Sequence, residues 1–165
     1  MKKSSDTLDR IDLKILDILQ QNCHISNVEL ANKVNLSPTP CLERVKRLEK
    51  SGYIDKYVAH LNPKKLQANL TAYIQVSLSN TSTKDLEDFN RQVRALDEVT
   101  ECSMVAGGFD YLIKIRIRDM AAYRDFLGDK LAVIKGISQT HTYVVMEEVK
   151  STHIINIPSH TDSGR

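Results

Sequence analysis

The spacing of apolar residues along the chain changes period near residue 52. Leu8, Ile11, Ile15, Ile18 and Leu19 recur at one-face helical spacing with charged residues between them, which predicts a helix from about Asp9 to just before Cys23. Ser26 with Glu29 three positions on is a capping-box signal. It opens a short second helix with apolar positions Val28, Leu30, Ala31 and Val34, ending near Asn35, a residue that tolerates left-handed backbone. Leu36 is expected to bury in the turn. Ser37 and Pro38 form a second start signal, an N-cap followed by proline at the first helical position. This third helix is predicted to reach about Lys50, with Gly52 closing it and Pro40 still inside its first turn. Its wheel splits: Cys41, Leu42, Val45 and Leu48 on one face, Thr39, Glu43, Lys46, Arg47 and Lys50 on the other, Arg44 on the flank.

Beyond Gly52, Tyr53 to Leu61 is rich in β-formers and reads as an extended connecting strand. Asn62-Pro63 turns the chain, and Lys64-Lys65-Leu66 add a short helical turn. Leu70 to Leu78 alternates as a strand does; after the polar loop Ser79 to Thr83, Asp85 to Leu96 fits an amphipathic helix through Leu86, Phe89, Val93 and Leu96. Val99–Ala106 and Tyr111–Ile117 are strands joined at Gly107-Gly108, Met120–Val133 is a second helix with Tyr123, Phe126, Leu127 and Leu131 as core candidates, and Ser138–Val149 is a fourth strand. The order βαββαβ is the ferredoxin-like pattern. Ile154–Ile157 is expected to add an edge strand, and Pro158–Arg165 a loose tail. The fold class is α+β. The domains read as 1–52 helix-turn-helix, 53–69 connecting segment, 70–157 ferredoxin-like unit and 158–165 tail.

Composition narrows the function. The chain has 165 residues, 41% of them hydrophobic, enough for packed cores. No apolar run approaches the roughly 18 residues that span a bilayer, and the charged N-terminus is followed by no apolar segment of a signal peptide, so a cytoplasmic protein is expected. Cys23, Cys41 and Cys102 lie far apart without metal-ligand spacing, so neither metal nor cofactor is expected. The net charge of +2 says little, but its distribution says more. Acids dominate from Asp6 to Glu29, whereas Lys33, Arg44, Lys46, Arg47, Lys50 and Lys56 outnumber Glu43, Glu49 and Asp55. A basic surface confined to one stretch suits a polyanion.

Three short helices with a tight turn before the third are the layout of a helix-turn-helix, whose third helix presents its outer face to the major groove. Ser37 and the free amides at the start of that helix are placed for a phosphate. Thr39 and Glu43 lie where base edges are read, and Arg44, Lys46, Arg47 and Lys50 suit guanine or phosphate. Glu43 also has the i,i+4 spacing to pair with Arg47. In the second half, Tyr73, Ile74, Val76, Met104, Ile113, Ile115, Tyr143 and Val145 supply apolar material for pairing two sheets. Val105-Ala106-Gly107-Gly108-Phe109-Asp110-Tyr111 reads by spacing alone as a glycine hairpin; alternatively, its amides take a carboxylate while Asp110 pairs with an ammonium group.

Ile25-Ser26-Asn27-Val28-Glu29-Leu30, then Leu36-Ser37-Pro38-Thr39-Pro40-Cys41-Leu42-Glu43-Arg44-Val45, Arg47-Leu48-Glu49 and Gly52-Tyr53-Ile54, resemble the Lrp/AsnC (feast/famine) regulators, and the resemblance runs from about Asp9 to Lys150. It implies a winged helix-turn-helix and a nucleoid-associated transcription regulator that binds double-stranded DNA, forms homodimers and assembles further, often to an octamer. It also implies an amino-acid effector, with leucine or methionine favoured. The resemblance places that effector at the glycine loop, Val105 to Tyr111, and at the final strand, through Gln139, Thr140 and Thr142. Gly108 stands where leucine-responsive members carry an acidic residue. Two rivals are a ligand-independent architectural DNA-binding protein and a small dimeric enzyme using Tyr111, His141 and Tyr143; the second lacks a nucleotide-loop or metalloprotease motif, so no catalytic residue is assigned.

Overall fold

A computed structural model describes residues 7–157; the expected tail over 158–165 and the N-terminal residues weighed as a leader lie outside them. The described residues divide into two compact units, one of residues 7–60 together with 150–157, the other Leu61–Val149. Residues 150–157 group with the helical unit.

The helical unit holds α1 (Arg10–Gln21), α2 (Asn27–Lys33) and α3 (Pro38–Lys50). Reciprocal capping boxes start the first two: Asp9 with Asp12, and Ser26 with Glu29. Each satisfies two amides the helix itself leaves unbonded. Asn35 ends α2 at φ 56°, and the Leu36 N–H returns to the Ala31 carbonyl at 2.9 Å. α3 ends in a Schellman motif: Gly52 takes φ 75°, its N–H donates to Glu49 and the Tyr53 N–H donates to Leu48. The core is Ile15, Leu30, Ala31, Val34, Cys41, Val45 and Leu48, with Leu36 half-buried against it. Two apolar positions depart from expectation. Val28 and Leu42 are 56% and 41% exposed, since each lies at the margin of its helix's buried stripe.

Tyr53 to Leu61 forms no ladder, and Ile154 to Ile157 forms no strand. Both stretches have extended-former composition, but a strand requires a partner edge, and none runs beside them among the described residues. Instead, the Gln20 side-chain amide clasps the Ile155 main chain, donating to its carbonyl and accepting from its N–H, both at 2.9 Å. Residues 63–67 form turns, as expected for the Lys64-Lys65-Leu66 stretch.

The second unit is β1 (Leu70–Leu78), α4 (Thr83–Arg94), β2 (Val99–Met104), β3 (Tyr111–Ile117), α5 (Met120–Asp125) and β4 (Ile137–Val144). The sheet is antiparallel in the order β2-β3-β1-β4, the ferredoxin-like topology. Its helix-covered face carries Ala72, Ile74, Val76, Tyr111, Ile113, Ile115 and Ile117, packed on Phe89, Val93, Phe126 and Leu131. The helix expected over 120–133 is interrupted: a π-helical segment, Phe126–Leu131, follows α5. It contains Gly128, whose low helix propensity weakens a regular turn. The fourth strand stops at Val144, although the Val145 N–H still donates to Thr71.

At Gly52 an added Cβ meets nothing within 4 Å, so replacement there is opposed by backbone conformation alone. Gly52→Ala is expected to lower stability by about 1 kcal/mol, read by urea denaturation; an unchanged midpoint would show that the left-handed cap contributes nothing.

Candidate functional site

On α3 the residues Thr39, Glu43, Lys46 and Lys50 follow one another at four, three and four positions, and all are exposed. They form one outward stripe opposite Cys41, Val45 and Leu48, with exposed Leu42 along its border. Among the described residues neither Lys46, Lys50 nor Glu43 enters an ion pair, so the Glu43–Arg47 pairing that the spacing allows is not formed.

The two arginines have other partners. Arg44 Nη1 donates to Asp9 Oδ2 at 2.6 Å and to Asp12 Oδ1 at 2.8 Å, while Arg47 Nη2 donates to Asp12 Oδ2 at 2.5 Å. The Asp12 side chain is 1% exposed, the Arg44 side chain 26% and the Arg47 side chain 56%. Arg44 is thus committed to binding α3 onto the start of α1, whereas Arg47 keeps an outward portion and further N–H donors. Partial burial acts to raise the Asp9 pKa, but the Asp12 amide and Arg44 outweigh it and hold the carboxyl below its ordinary value. The Asp9 and Asp12 hydrogen bonds raise Arg44. The acids that anchor the arginines were missed in the sequence, where Asp9 and Asp12 stood out only by helix spacing.

The start of α3 is poorer in donors than expected. Ser37 is the N-cap with its side chain making no capping bond, leaving the hydroxyl available. Pro38 and Pro40, however, carry no N–H, and the Cys41 N–H is taken by the Ser37 carbonyl. Of the amides in that first turn, the Thr39 N–H remains for an incoming anion.

In the second unit the glycine loop is a closed hairpin. The Val105 N–H donates to the Asp110 carbonyl at 2.9 Å, the Asp110 N–H donates to Val76 at 3.0 Å, and Asp110 Oδ2 accepts the Leu78 N–H at 2.7 Å. One Asp110 oxygen is therefore bound to the end of β1 rather than held free for an ammonium group. Ala106, Gly107, Gly108 and Phe109 offer N–H groups that enter no backbone hydrogen bond among the described residues. Neither Gly107 nor Gly108 takes positive φ, and an added Cβ at either meets nothing within 4 Å. The fold of this unit does not itself require glycine there.

The register separates the remaining candidates. Thr140 lies opposite Val76 and Thr142 opposite Ile74, on the helix-covered side, where Thr142 Oγ1 accepts from the Tyr123 hydroxyl at 2.8 Å. Gln139 lies opposite Ser77 on the open face, within 2.9 Å of His141 Nε2. Tyr111 is in the core, its ring centroid 4.4 Å from that of Phe89. The loop and the start of β4 do meet at one end of the sheet, on either side of the end of β1. The apolar residues expected to pair sheets divide likewise. Ile74, Val76, Ile113 and Ile115 are fully buried in the unit's own core, and Met104 shares their face. The open face retains Tyr73, Leu112, Tyr143 and Val145 among polar groups, with Lys114 Nζ 5.8 Å from the Tyr73 ring centroid.

A helix-turn-helix with an outward basic stripe, joined to a ferredoxin-like unit bearing an amide-rich loop, defines a two-unit DNA-binding transcription regulator. Residues 8–55 match the winged helix-turn-helix DNA-binding family and residues 71–155 the Lrp/AsnC ligand binding domain. The chain is 52% identical over 154 residues to the leucine-responsive regulatory protein of Haemophilus influenzae, covering 93% of each chain. It is 50% identical over 152 residues to that of Escherichia coli K12, covering 92% and 93%. Among solved structures, a transcriptional regulator–L-Met complex from Neisseria meningitidis superimposes with a TM-score of 0.87 at 39% identity, over 91% of this chain and 97% of that one. Escherichia coli AsnC follows at 0.82 and 28%, over 90% and 98%. The chain belongs to the Lrp/AsnC family of transcription regulators. No helix among the described residues is long and apolar enough to cross a membrane.

Asp12→Ala is expected to cost about 2–3 kcal/mol, less than a fully buried pair because both arginines retain solvent; a loss below about 0.5 kcal/mol in chemical denaturation would remove Asp12 as the anchor. For Asp9 the folded pKa lies below the ordinary 3.8. Its stabilisation is therefore present above that value and is lost as pH falls through the folded pKa. An NMR titration placing the Asp9 carboxyl at or above 3.8 would contradict this.

Proposed function

We propose that the protein is a sequence-specific regulator whose DNA binding and assembly respond to a small apolar amino acid, leucine or methionine. The observation that carries the DNA-binding part is the division of labour on α3. Arg44 holds the helix in place, whereas the stripe of Thr39, Glu43, Lys46 and Lys50 faces outward without ion-pair partners among the described residues. Thr39 and Glu43 are the base-reading candidates; Lys46, Lys50, the outward part of Arg47 and the Ser37 hydroxyl are candidates for phosphate or guanine.

The effector reading is supported by the unbonded amides of the 106–109 loop, which suit a carboxylate, and by the L-Met bound in the Neisseria relative. Asp110 contributes to that reading mainly by holding the loop against β1, and Gln139 and Thr140 stand at the same end of the sheet. Thr142, whose hydroxyl is engaged by Tyr123, and Tyr111, buried in the core, take no part in that site. For assembly, the open sheet face with Tyr73, Leu112, Tyr143 and Val145 is the surface on which two copies pair, with dimers joining into a higher oligomer such as an octamer. Pairing matters because two recognition helices then engage half-sites about one helical turn apart, coupling two weak contacts. An effector changes DNA affinity only by its preference between assembly states.

The deciding experiment titrates a palindromic duplex and a random one, each with and without leucine or methionine, alongside sedimentation. Coupled shifts in affinity and assembly are expected; equal affinity for both duplexes and no amino-acid effect would leave an architectural DNA-binding protein. Lys46→Ala is expected to weaken binding to both duplexes alike and to reduce the slope of log K against log salt by about 1. An unchanged slope would take Lys46 off the phosphate backbone.

A further inference from the structure

A cleft of about 470 Å³ opens on the helix-covered side of the sheet, between α4 and the edge strand β2. Asn90, Val93 and Arg94 line it from the helix, Cys102 and Met104 from β2, and Tyr111 from its floor. It exists because β2 lies at the sheet edge, where α4 leaves even inward-pointing residues uncovered: Met104 is 57% exposed although it sits opposite buried Tyr111.

The floor carries an unmet demand. Tyr111 is 1% exposed, and its hydroxyl has no hydrogen-bond partner of proper geometry. A buried hydroxyl left unbonded costs about 1–3 kcal/mol, so an acceptor at the cleft floor would relieve a standing penalty. Burial pushes the phenol's pKa up, partly countered by neighbouring Asn90, which keeps it a donor at neutral pH. At the rim, Arg94 enters no ion pair among the described residues and is close enough to Cys102 to act on its thiol. The walls between are apolar, through Val93, Val99 and Met104. The acid along the cleft, Glu101, has its carboxylate on Lys114 at 3.0 Å, so no anion is presented for an ammonium group.

We propose that this cleft is a binding site for a small aliphatic 2-oxo acid, with Arg94 taking the carboxylate, the Tyr111 hydroxyl donating to a ligand oxygen and Val93 with Met104 covering the alkyl chain. The site is separate from the 106–109 loop and does not rest on the loop's role. A carboxylate on arginine is a strong charge-assisted contact, and the missing counter-acid separates oxo acids from amino acids of the same shape.

The test is calorimetric titration of the full chain with 4-methyl-2-oxopentanoate, using leucine as comparator, together with iodoacetamide labelling read by mass spectrometry. The oxo acid is expected to bind and to slow alkylation of Cys102. Cys23, also exposed but in the other unit, serves as control and keeps its rate. Arg94→Gln is expected to weaken binding at least about tenfold. Tyr111→Phe is expected to weaken it by roughly tenfold while melting no earlier than the wild type, because the orphan hydroxyl is gone. That combination distinguishes a ligand contact from a structural one. Absence of binding at millimolar oxo acid, undiminished affinity in Arg94→Gln, or equal slowing of Cys23 would overturn the site. Protection of Cys102 by leucine as strong as that by the oxo acid would overturn the ligand class.

Discussion

The buried carboxylate of Asp12 is the constraint on which the presentation of α3 depends. It caps its own helix, accepting the Asp9 N–H, and at the same time accepts from Arg44 and Arg47 of α3. A charge removed from water is tolerated only when its lone pairs are filled, and here every filler comes from a fixed place on one of two helices. The arrangement therefore sets the rotation of α3 about its axis. Once Arg44 is drawn to α1, Cys41, Val45 and Leu48 must face the core, and Thr39, Glu43, Lys46 and Lys50 must face away. The same contact offsets much of the local positive charge of the arginines, leaving the lysines as the mobile, strongly hydrated cations suited to a phosphate backbone.

In the sheet unit the equivalent constraint is the period of two along a strand. Each strand gives alternate residues to the helices and to the open face, and the antiparallel register fixes which. Ile74 and Ile113 are neighbours in the core for the same reason that Tyr73 and Lys114 are neighbours outside it. Edge position then modifies the rule. β2 and β4 have a neighbour on one side only, so inward residues such as Met104 and Val144 stay accessible while those of β1 and β3 do not. The cleft above Tyr111 and the accessible end of the sheet beside the glycine loop both arise from these edges.

The helix starts were legible because capping is local. Ser26 and Glu29 are three residues apart, and so are Asp9 and Asp12, although only the first pair has the familiar serine–glutamate form. β1 and β3 were legible to the residue, being the central strands, where alternation is strongest. The failures have a common physical origin. Tyr53–Leu61 and Ile154–Ile157 have strand-like composition but no adjacent edge. Leu42 has an apolar side chain but lies off the buried stripe. The amides expected at the start of α3 are largely removed by Pro38 and Pro40, which carry no N–H.

What the sequence determined by itself was everything carried by neighbours a few residues apart: element type and order, caps, the basic outer face of α3 and the glycine loop, together with the family they resemble. What tertiary structure alone decided was which partner each group meets across long separations. Asp12 reaches Arg44 across 32 positions and Leu78 reaches Asp110 across another 32, so an arginine counted toward the DNA-facing surface became an anchor, and an acid counted toward an ammonium group became a clasp for a strand end. Periodicity assigns a residue to a face, but it cannot say what packs there, because that depends on the fold bringing distant segments within the few ångströms over which hydrogen bonds and ion pairs act.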